Sequence, residues 1–317
     1  MLLGLAACPL VALVRWLQGV LQGFHRPFAA QVPQFITVPS VTLVLCWFLH
    51  VTERLNALSA VSAYAGANLL ALSFGGGMLL KVLPKGRQSR TPHARTHTAR
   101  WVNSAVPLFL AAGASLVNDR IGVLLLGTFS TRAEAGLFDL ATRAAGLVVF
   151  PLVAVNMVTA PVVASLHATR QRERMEETLI RAARLALVPA VVIAAVLIAF
   201  APLVLGLLGP EFARAASALR IMCLGQVVNA ASGPVALVLN MTGHERVALS
   251  ALLVALGLNG SLAGLLIGPW GAIGAAVASA VSVTVWNLLL LAQVIRRLGT
   301  NPTAFRSWCG RALYRRR

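Results

Sequence analysis

Residues 81–100 read KVLPKGRQSRTPHARTHTAR, and this stretch decides the fold because it divides two blocks of long apolar segments. It holds six Lys or Arg, two prolines and no acidic residue. Loops on the cytoplasmic side of a membrane are enriched in Lys and Arg. We therefore predict a solvated cytoplasmic linker over residues 84–101, with one block of membrane helices before it and another after it.

The segments on both sides of the linker are apolar enough to lie in a lipid bilayer. Hydrophobic residues make up 58% of the chain and charged residues 11%, and the mean hydropathy is +0.80. A soluble domain carries about 25% charged residues. Because about 20 helical residues cross a hydrocarbon core, we predict an all-α polytopic membrane protein with about nine transmembrane helices. These helices are predicted at residues 2–22, 30–50, 56–83, 102–127, 135–166, 178–208, 213–241, 246–267 and 271–296.

The other connections between these segments alternate between basic and nearly neutral. With the linker placed inside, the Arg-rich stretch 167–184 and the C-terminal end are also inside, and the GPWG turn at 268–271 is outside. We predict a multi-pass protein of the bacterial inner membrane, with its carboxyl terminus in the cytoplasm and its amino terminus in the periplasm.

This topology predicts a partial first lobe and a complete second lobe. The first lobe has three helices over residues 1–83, the second has six helices over residues 102–297, and a basic cytoplasmic tail covers residues 298–317. An odd number of helices and an external start are typical of a two-lobe protein without its first three helices. We interpret this pattern as a truncation or a misassigned start codon.

The formal charge of +18 does not predict nucleic-acid binding, because most Lys and Arg lie in the predicted cytoplasmic loops and tail. Anionic lipids are the expected partners of such loops. The four cysteines Cys8, Cys46, Cys223 and Cys309 show no CxxC or Cys/His spacing, so we predict neither a disulfide framework nor a metal site. Motifs such as GxSxG and HExxH are absent, and we predict no enzymatic activity and no cofactor.

Two neighbouring predicted helices carry ionised side chains in their outer halves. Asp119 and Arg120 are adjacent in the first of them, and Asp139 and Arg143 are one turn apart in the second. The short connection between the two helices predicts that they lie side by side. A charged group at the centre of a membrane helix costs roughly 2.5–3.5 kcal/mol, so these residues are expected to pair with each other or to face water.

Two interpretations of these residues stay open. In the first, the acidic residues only neutralise the arginines and join the two helices. In the second, the residues line a central hydrophilic cavity, in which Arg binds a phosphate through paired, charge-assisted hydrogen bonds. The candidate cavity residues are Asn118, Asp119, Arg120, Asp139, Arg143, Asn156, Gln226 and Asn229.

Three stretches resemble a family of bacterial polysaccharide transporters. NDRIGVLLLGTFSTRAEAGLFDLATRAAGLVVFPLVAVNMVTAPVVASLH at 118–167 resembles their seventh and eighth helices, and residues 209–246 resemble the turn before their tenth helix and that helix. GPWGAIGAAVASAVSVTVWNLLL at 268–290 resembles their last helix. These proteins are flippases for lipid-linked oligosaccharides, in the multidrug/oligosaccharidyl-lipid/polysaccharide exporter superfamily, which also holds the multidrug extruders and the lipid II flippase.

The resemblance implies two six-helix lobes around a central cavity and transport by alternating access. It implies an undecaprenyl-diphosphate-linked glycan as the substrate, such as a precursor of O-antigen-like surface polysaccharide or lipopolysaccharide. A glycan polymerase and glycosyltransferases are the candidate protein partners. Two alternatives stay open: a multidrug/toxin antiporter of the same fold, which would need acidic residues in the cavity, and an inactive truncated remnant or membrane scaffold.

Overall fold

The structure is a computed structural model that describes residues 2–24, 30–54, 56–82, 98–207, 209–300 and 302–304. Every regular element among these residues is a helix, which confirms the predicted all-α class. The chain divides into two compact units, residues 1–91 and 92–317. Most of the predicted linker, residues 25–29 between the first two predicted helices and the tail beyond residue 304 lie outside the described residues.

The first unit contains three helices, α1 (Leu2–Gly23), α2 (Val32–Val51) and α3 (Ala57–Val82). The first residues of α2, Val32–Thr37, are π-helical, and the rest of α2 is an α-helix. Small residues bring the helices close together: Gly75 of α3 lies directly against the side chains of Leu17 and Pro33.

The second unit contains the remaining helices and two clusters of buried apolar side chains. Its helices are α4 (Thr98–Phe129), α5 (Arg132–Ala168), α6 (Arg172–Ala199), α7 (Ala201–Gly206), α8 (Ala216–Ser232), α9 (Val235–Met241) and α10 (Glu245–Leu298), with a 3₁₀ turn at Pro210–Ala215 before α8. Alanines predominate in the larger cluster, so these helices pack at short distance, as small residues allow in membrane proteins.

Six helices in the described part of the chain are long and apolar enough to cross a membrane, and a seventh is obtained if α8 and α9 form one bent span. The protein is therefore a polytopic membrane protein, but the predicted number of nine spans is not confirmed. The described apolar run of α1, Cys8–Leu21, is shorter than a span, and residues 245–298 are two helices joined at a kink, as predicted at 246–267 and 271–296.

Helix α10 bends back on itself at Gly271. As a straight rod its 54 residues would be about 80 Å long, far more than a bilayer needs. Gly271 adopts a φ of 52°, outside the helical region. The Ser282 hydroxyl donates to the Ala255 carbonyl over 2.7 Å, so the chain on one side of Gly271 lies along the chain on the other. We call residues 245–270 the first arm of α10 and residues 272–298 its second arm.

The predicted helix 213–241 is broken in the structure. Helices α8 and α9 meet at an angle of 46°. Gly233 adopts a φ of 73°, a conformation that favours glycine. Pro234 follows directly and has no backbone N–H to donate to the preceding turn, so the helix is interrupted at these two residues. The sequence prediction of one continuous helix was wrong at this point, and the break places the end of α8 inside the unit.

Candidate functional site

The four ionised residues of the sequence prediction do not form two separate pairs. Asp139 of α5 accepts two hydrogen bonds: Arg120 Nη1 of α4 donates to Oδ1 over 2.9 Å, and Arg143 Nε donates to Oδ2 over 2.7 Å. The side chains of Arg120 and Arg143 are 58% and 66% exposed, whereas that of Asp139 is 26% exposed. We call these three residues the ion triad, and it carries a net charge of +1.

The packing of α4 against α5 brings the triad together. Thr131 caps the N-terminus of α5, and its hydroxyl accepts a hydrogen bond from the Glu134 N–H. Gly122 lies against the buried ring of Phe138, where an added Cβ would be 2.6 Å from a ring carbon. A glycine at 122 therefore lets α4 approach α5, and Asp139 then comes within reach of the Arg120 side chain.

A second group of predicted residues lines a pocket of about 200 Å³ inside the second unit. We call it the amide pocket, because three amide side chains from two helices line it. Its lining residues are Ser115, Asn118, Asp119, Val149, Gln226, Asn229, Leu252, Ala255, Ser282, Val283 and Trp286.

Hydrogen bonds hold two walls of the amide pocket in place. Asn229 donates to the Gln226 side chain over 3.2 Å on α8, and Asn259 of the first arm of α10 donates to the Asn118 side chain over 3.0 Å. Asp119 forms no ion pair within 4.0 Å with any residue that the structure describes. The pocket thus presents several amide groups and a carboxyl group that has no cationic neighbour in contact.

The structure therefore separates residues that are adjacent in the sequence. Successive residues of a helix point about 100° apart, so Arg120 joins the ion triad while Asn118 and Asp119 line the amide pocket. Gln226 and Asn229 join the pocket as well. Asn156 belongs to neither group; its Oδ1 atom on α5 is buried and has no hydrogen-bond partner among the described residues.

Sequence reasoning missed three side chains that hold the unit together. The Glu134 carboxylate accepts a hydrogen bond of 2.7 Å from the Ala272 N–H, the first residue of the second arm of α10. Arg220 Nε donates to the Ile198 carbonyl at the end of α6 over 3.0 Å, and Asn259 forms the pocket contact given above. The sequence signal for Glu134 was present, because Thr131 and Glu134 have the spacing of a capping box.

The described residues contain no group of three or more His, Cys, Asp or Glu side chains with the arrangement of a metal site. The ion triad offers guanidinium N–H groups to an anion, and the amide pocket offers donors and acceptors, with one carboxyl group, to a polar or cationic group.

Comparisons with known proteins agree with this architecture. Residues 116–265 match the model of the MatE family. The fold is similar to a crystal structure of a mutant of the Vibrio cholerae MATE transporter VcmN, with a TM-score of 0.76, 16% identity, and coverage of 93% of this chain and 68% of that one. A second MATE mutant gives a TM-score of 0.75 at 15% identity, covering 94% of this chain and 68% of that one.

The lipid II flippase MurJ, in an inward closed conformation, is also similar, with a TM-score of 0.65, 15% identity, and coverage of 91% of this chain and 61% of that one. No curated protein sequence matches the chain. The matches support the superfamily named by the sequence resemblance but do not single out the polysaccharide flippases within it. The chain has a MATE-like helical fold, and residues 116–265 of it match the MatE family model.

Proposed function

We propose that this protein acts in a flippase that moves lipid-linked oligosaccharides across the membrane by alternating access. The observation that carries the proposal is the ion triad, in which one carboxylate binds two arginines and leaves a net positive charge. Each guanidinium group uses one N–H on Asp139 and keeps others for a ligand. Two such groups on adjacent helices suit the paired oxygens of a diphosphate.

The proposed cargo is an undecaprenyl-diphosphate-linked precursor of surface polysaccharide. Its diphosphate would bind Arg120 and Arg143, while its lipid tail would stay in the bilayer. Asp139 would hold both arginines in place between transport events, because a side chain restrained by a hydrogen bond loses less freedom when a ligand binds. A glycan polymerase or glycosyltransferases would supply or receive this cargo, and anionic lipids would bind the basic loops.

A second candidate function is export of cationic drugs, and Asp119 is the observation that favours it. This carboxyl group lines the amide pocket without an ion-pair partner among the described residues. A carboxylate in such a position attracts organic cations, whereas the ion triad repels them.

Complementation of a flippase-deficient bacterial strain separates the two candidates. We expect Arg143→Ala to abolish surface glycan while membrane expression stays normal, and Arg143→Lys to restore only part of it, because Lys binds phosphate as a point charge. Arg181→Ala is the matched control, since Arg181 is 78% exposed and lies outside the triad. Normal glycan in Arg143→Ala, combined with loss of drug resistance in Asp119→Asn, would reject the flippase in favour of the drug exporter.

A further inference from the structure

The described residues after α10 fold back into the second unit. Helix α10 ends at Leu298, and Gly299 reverses the chain with a φ of 64°. Thr300, Pro302 and Ala304 are all buried. We call residues 299–300 and 302–304 the C-terminal strap. The burial of three of its residues means that contacts with the second unit hold the strap in place.

Hydrogen bonds at Ala304 attach the strap to two different helices. Arg184 Nε of α6 donates to the Ala304 carbonyl over 3.1 Å, and the Ala304 N–H donates to the Ala231 carbonyl of α8 over 3.4 Å. Ala231 lies in the last turn of α8, where carbonyl groups lose their intrahelical partners. Ala304 therefore supplies a donor that the break in the helix removes.

The break itself is shaped to receive the strap. An added Cβ at Gly233 would lie 2.8 Å from the Pro302 carbonyl oxygen and 2.9 Å from the Ala183 Cβ. Only a residue without a side chain leaves room for Pro302 at this position. The glycine that allows the bend between α8 and α9 thus also allows the strap to cover it.

The strap contacts the same end of α8 that contributes to the amide pocket. Gln226 and Asn229 line the pocket, and Asn229 lies two residues before Ala231, whose carbonyl binds the strap. A change in the position of the Ala231 carbonyl moves the backbone of Asn229, because both belong to the last two turns of one helix.

We propose that the C-terminal strap is a latch that holds the α8–α9 break and, through it, the α8 wall of the amide pocket. With the strap bound, the end of α8 is fixed and the pocket keeps Gln226 and Asn229 in place. When the strap is released, the last turns of α8 loosen and the pocket opens. Arg184 is the positioning residue of this latch, because it ties the strap to α6.

A comparison of two truncated chains tests whether the strap acts as a latch. A chain that ends at Ala304 loses only residues 305–317, whereas a chain that ends at Leu298 loses the strap as well. Both truncations remove the same basic tail, so a difference between them reports the strap alone. The reporter is Asn229→Cys, in a protein whose native cysteines at positions 8, 46 and 223 are replaced by alanine; Cys309 is absent from both truncations.

The measurement is the rate at which N-ethylmaleimide labels this cysteine in detergent-solubilised protein. We expect the chain that ends at Leu298 to react about tenfold faster than the chain that ends at Ala304, because it lacks the strap's hydrogen bonds and its buried contacts. A cysteine at Ser130, in the exposed turn between α4 and α5, is expected to react at the same rate in both chains and so controls for general unfolding.

Arg184→Ala, in the full-length chain with Cys309→Ala, gives an independent test that keeps the strap residues. We expect a smaller increase, about threefold, because the hydrogen bond from the Arg184 side chain to the strap is lost while the strap residues stay. Equal labelling at position 229 in the two truncations would overturn the proposal, and so would an equal increase at position 130. The labelling rate does not depend on the cargo, so failure of the latch and failure of the proposed flippase are separate results.

Discussion

The ion triad and the amide pocket contain adjacent residues of α4, Arg120 and Asp119, but the two sites differ in their charge and in the exposure of their side chains. The triad joins α4 to α5 through full charges, and its arginine side chains are more than half exposed. At the pocket, an amide hydrogen bond joins α4 to the first arm of α10, and its donor, Asn259, is 1% exposed. One site holds its helices together by electrostatic attraction and the other by hydrogen bonding inside a packed core.

The comparison shows that charged residues in apolar helices of one unit can have different surroundings. The first interpretation expected both acidic residues to neutralise the two arginines and join the helices. In the triad Asp139 alone bridges Arg120 and Arg143, so one positive charge is left without an acidic partner. Asp119 follows neither expectation, because it lines a pocket without an ion-pair partner among the described residues. Charges close together in the sequence therefore have different tasks.

The largest effect is expected from Asp139→Ala, which leaves two arginines without their common partner. We expect the free energy of unfolding to fall by about 2 kcal/mol, because two charge-assisted hydrogen bonds are lost at a partly exposed site. The measurement is the apparent melting temperature of the detergent-solubilised protein by fluorescence-detected size exclusion.

The matched control for this change is Glu177→Ala, which removes the exposed pair with Arg181, whose closest atoms are 3.7 Å apart. Such a surface pair contributes less than about 0.5 kcal/mol, so its melting temperature is expected to stay close to that of the unmodified protein. Equal shifts in the two variants would show that the triad is only another surface ion pair.

A smaller effect is expected from Asn259→Ala, which tests the amide pocket. This change removes the donor to Asn118 from a buried position and leaves the Asn118 oxygen without that partner. We expect a loss of about 1 kcal/mol, measured in the same way, since a neutral hydrogen bond contributes about half as much as a charged one.

The sequence contained enough information for the fold class but not for the partners within the two sites. Apolar length and basic loops predicted membrane helices, and the spacing of Asp139 and Arg143 predicted that they share a face of one helix. Periodicity says nothing about which other helix lies opposite that face. Arg120 was therefore grouped with Asp119 beside it, whereas the structure pairs it with Asp139.

Two further misses have the same origin. Asn259 is a single amide in an apolar run, and only the approach of α4 gives it a role. The break at Gly233 lies inside the helix predicted at 213–241, at a glycine followed by a proline, a pair that is typical of a turn. Whether such a pair interrupts a helix or is tolerated within it depends on packing.

The dependence of coupling energies on salt concentration distinguishes the two sites further. We expect a double-mutant cycle between Arg120→Ala and Asp139→Ala to give a coupling energy that falls by about half between 0.05 and 0.5 M NaCl, because exposed charges are screened. The cycle between Asn118→Ala and Asn259→Ala is expected to give a coupling that does not change with salt. A salt-independent coupling in the triad would place its charges out of contact with the solvent.

The smallest effect on stability is expected from Asp119→Asn, and this variant distinguishes a structural carboxylate from a functional one. The substitution keeps the shape of the side chain and removes a charge that has no ion-pair partner among the described residues, so the melting temperature should change by less than the equivalent of about 0.5 kcal/mol. A large gain in stability would mean that the Asp119 carboxylate destabilises the folded protein. Proteins keep such destabilising groups at functional sites. A large loss would mean that Asp119 stabilises the unit through contacts within it, and the pocket would then resemble the triad. No change in stability, together with unchanged surface glycan, leaves the ion triad as the group on which the proposed transport depends.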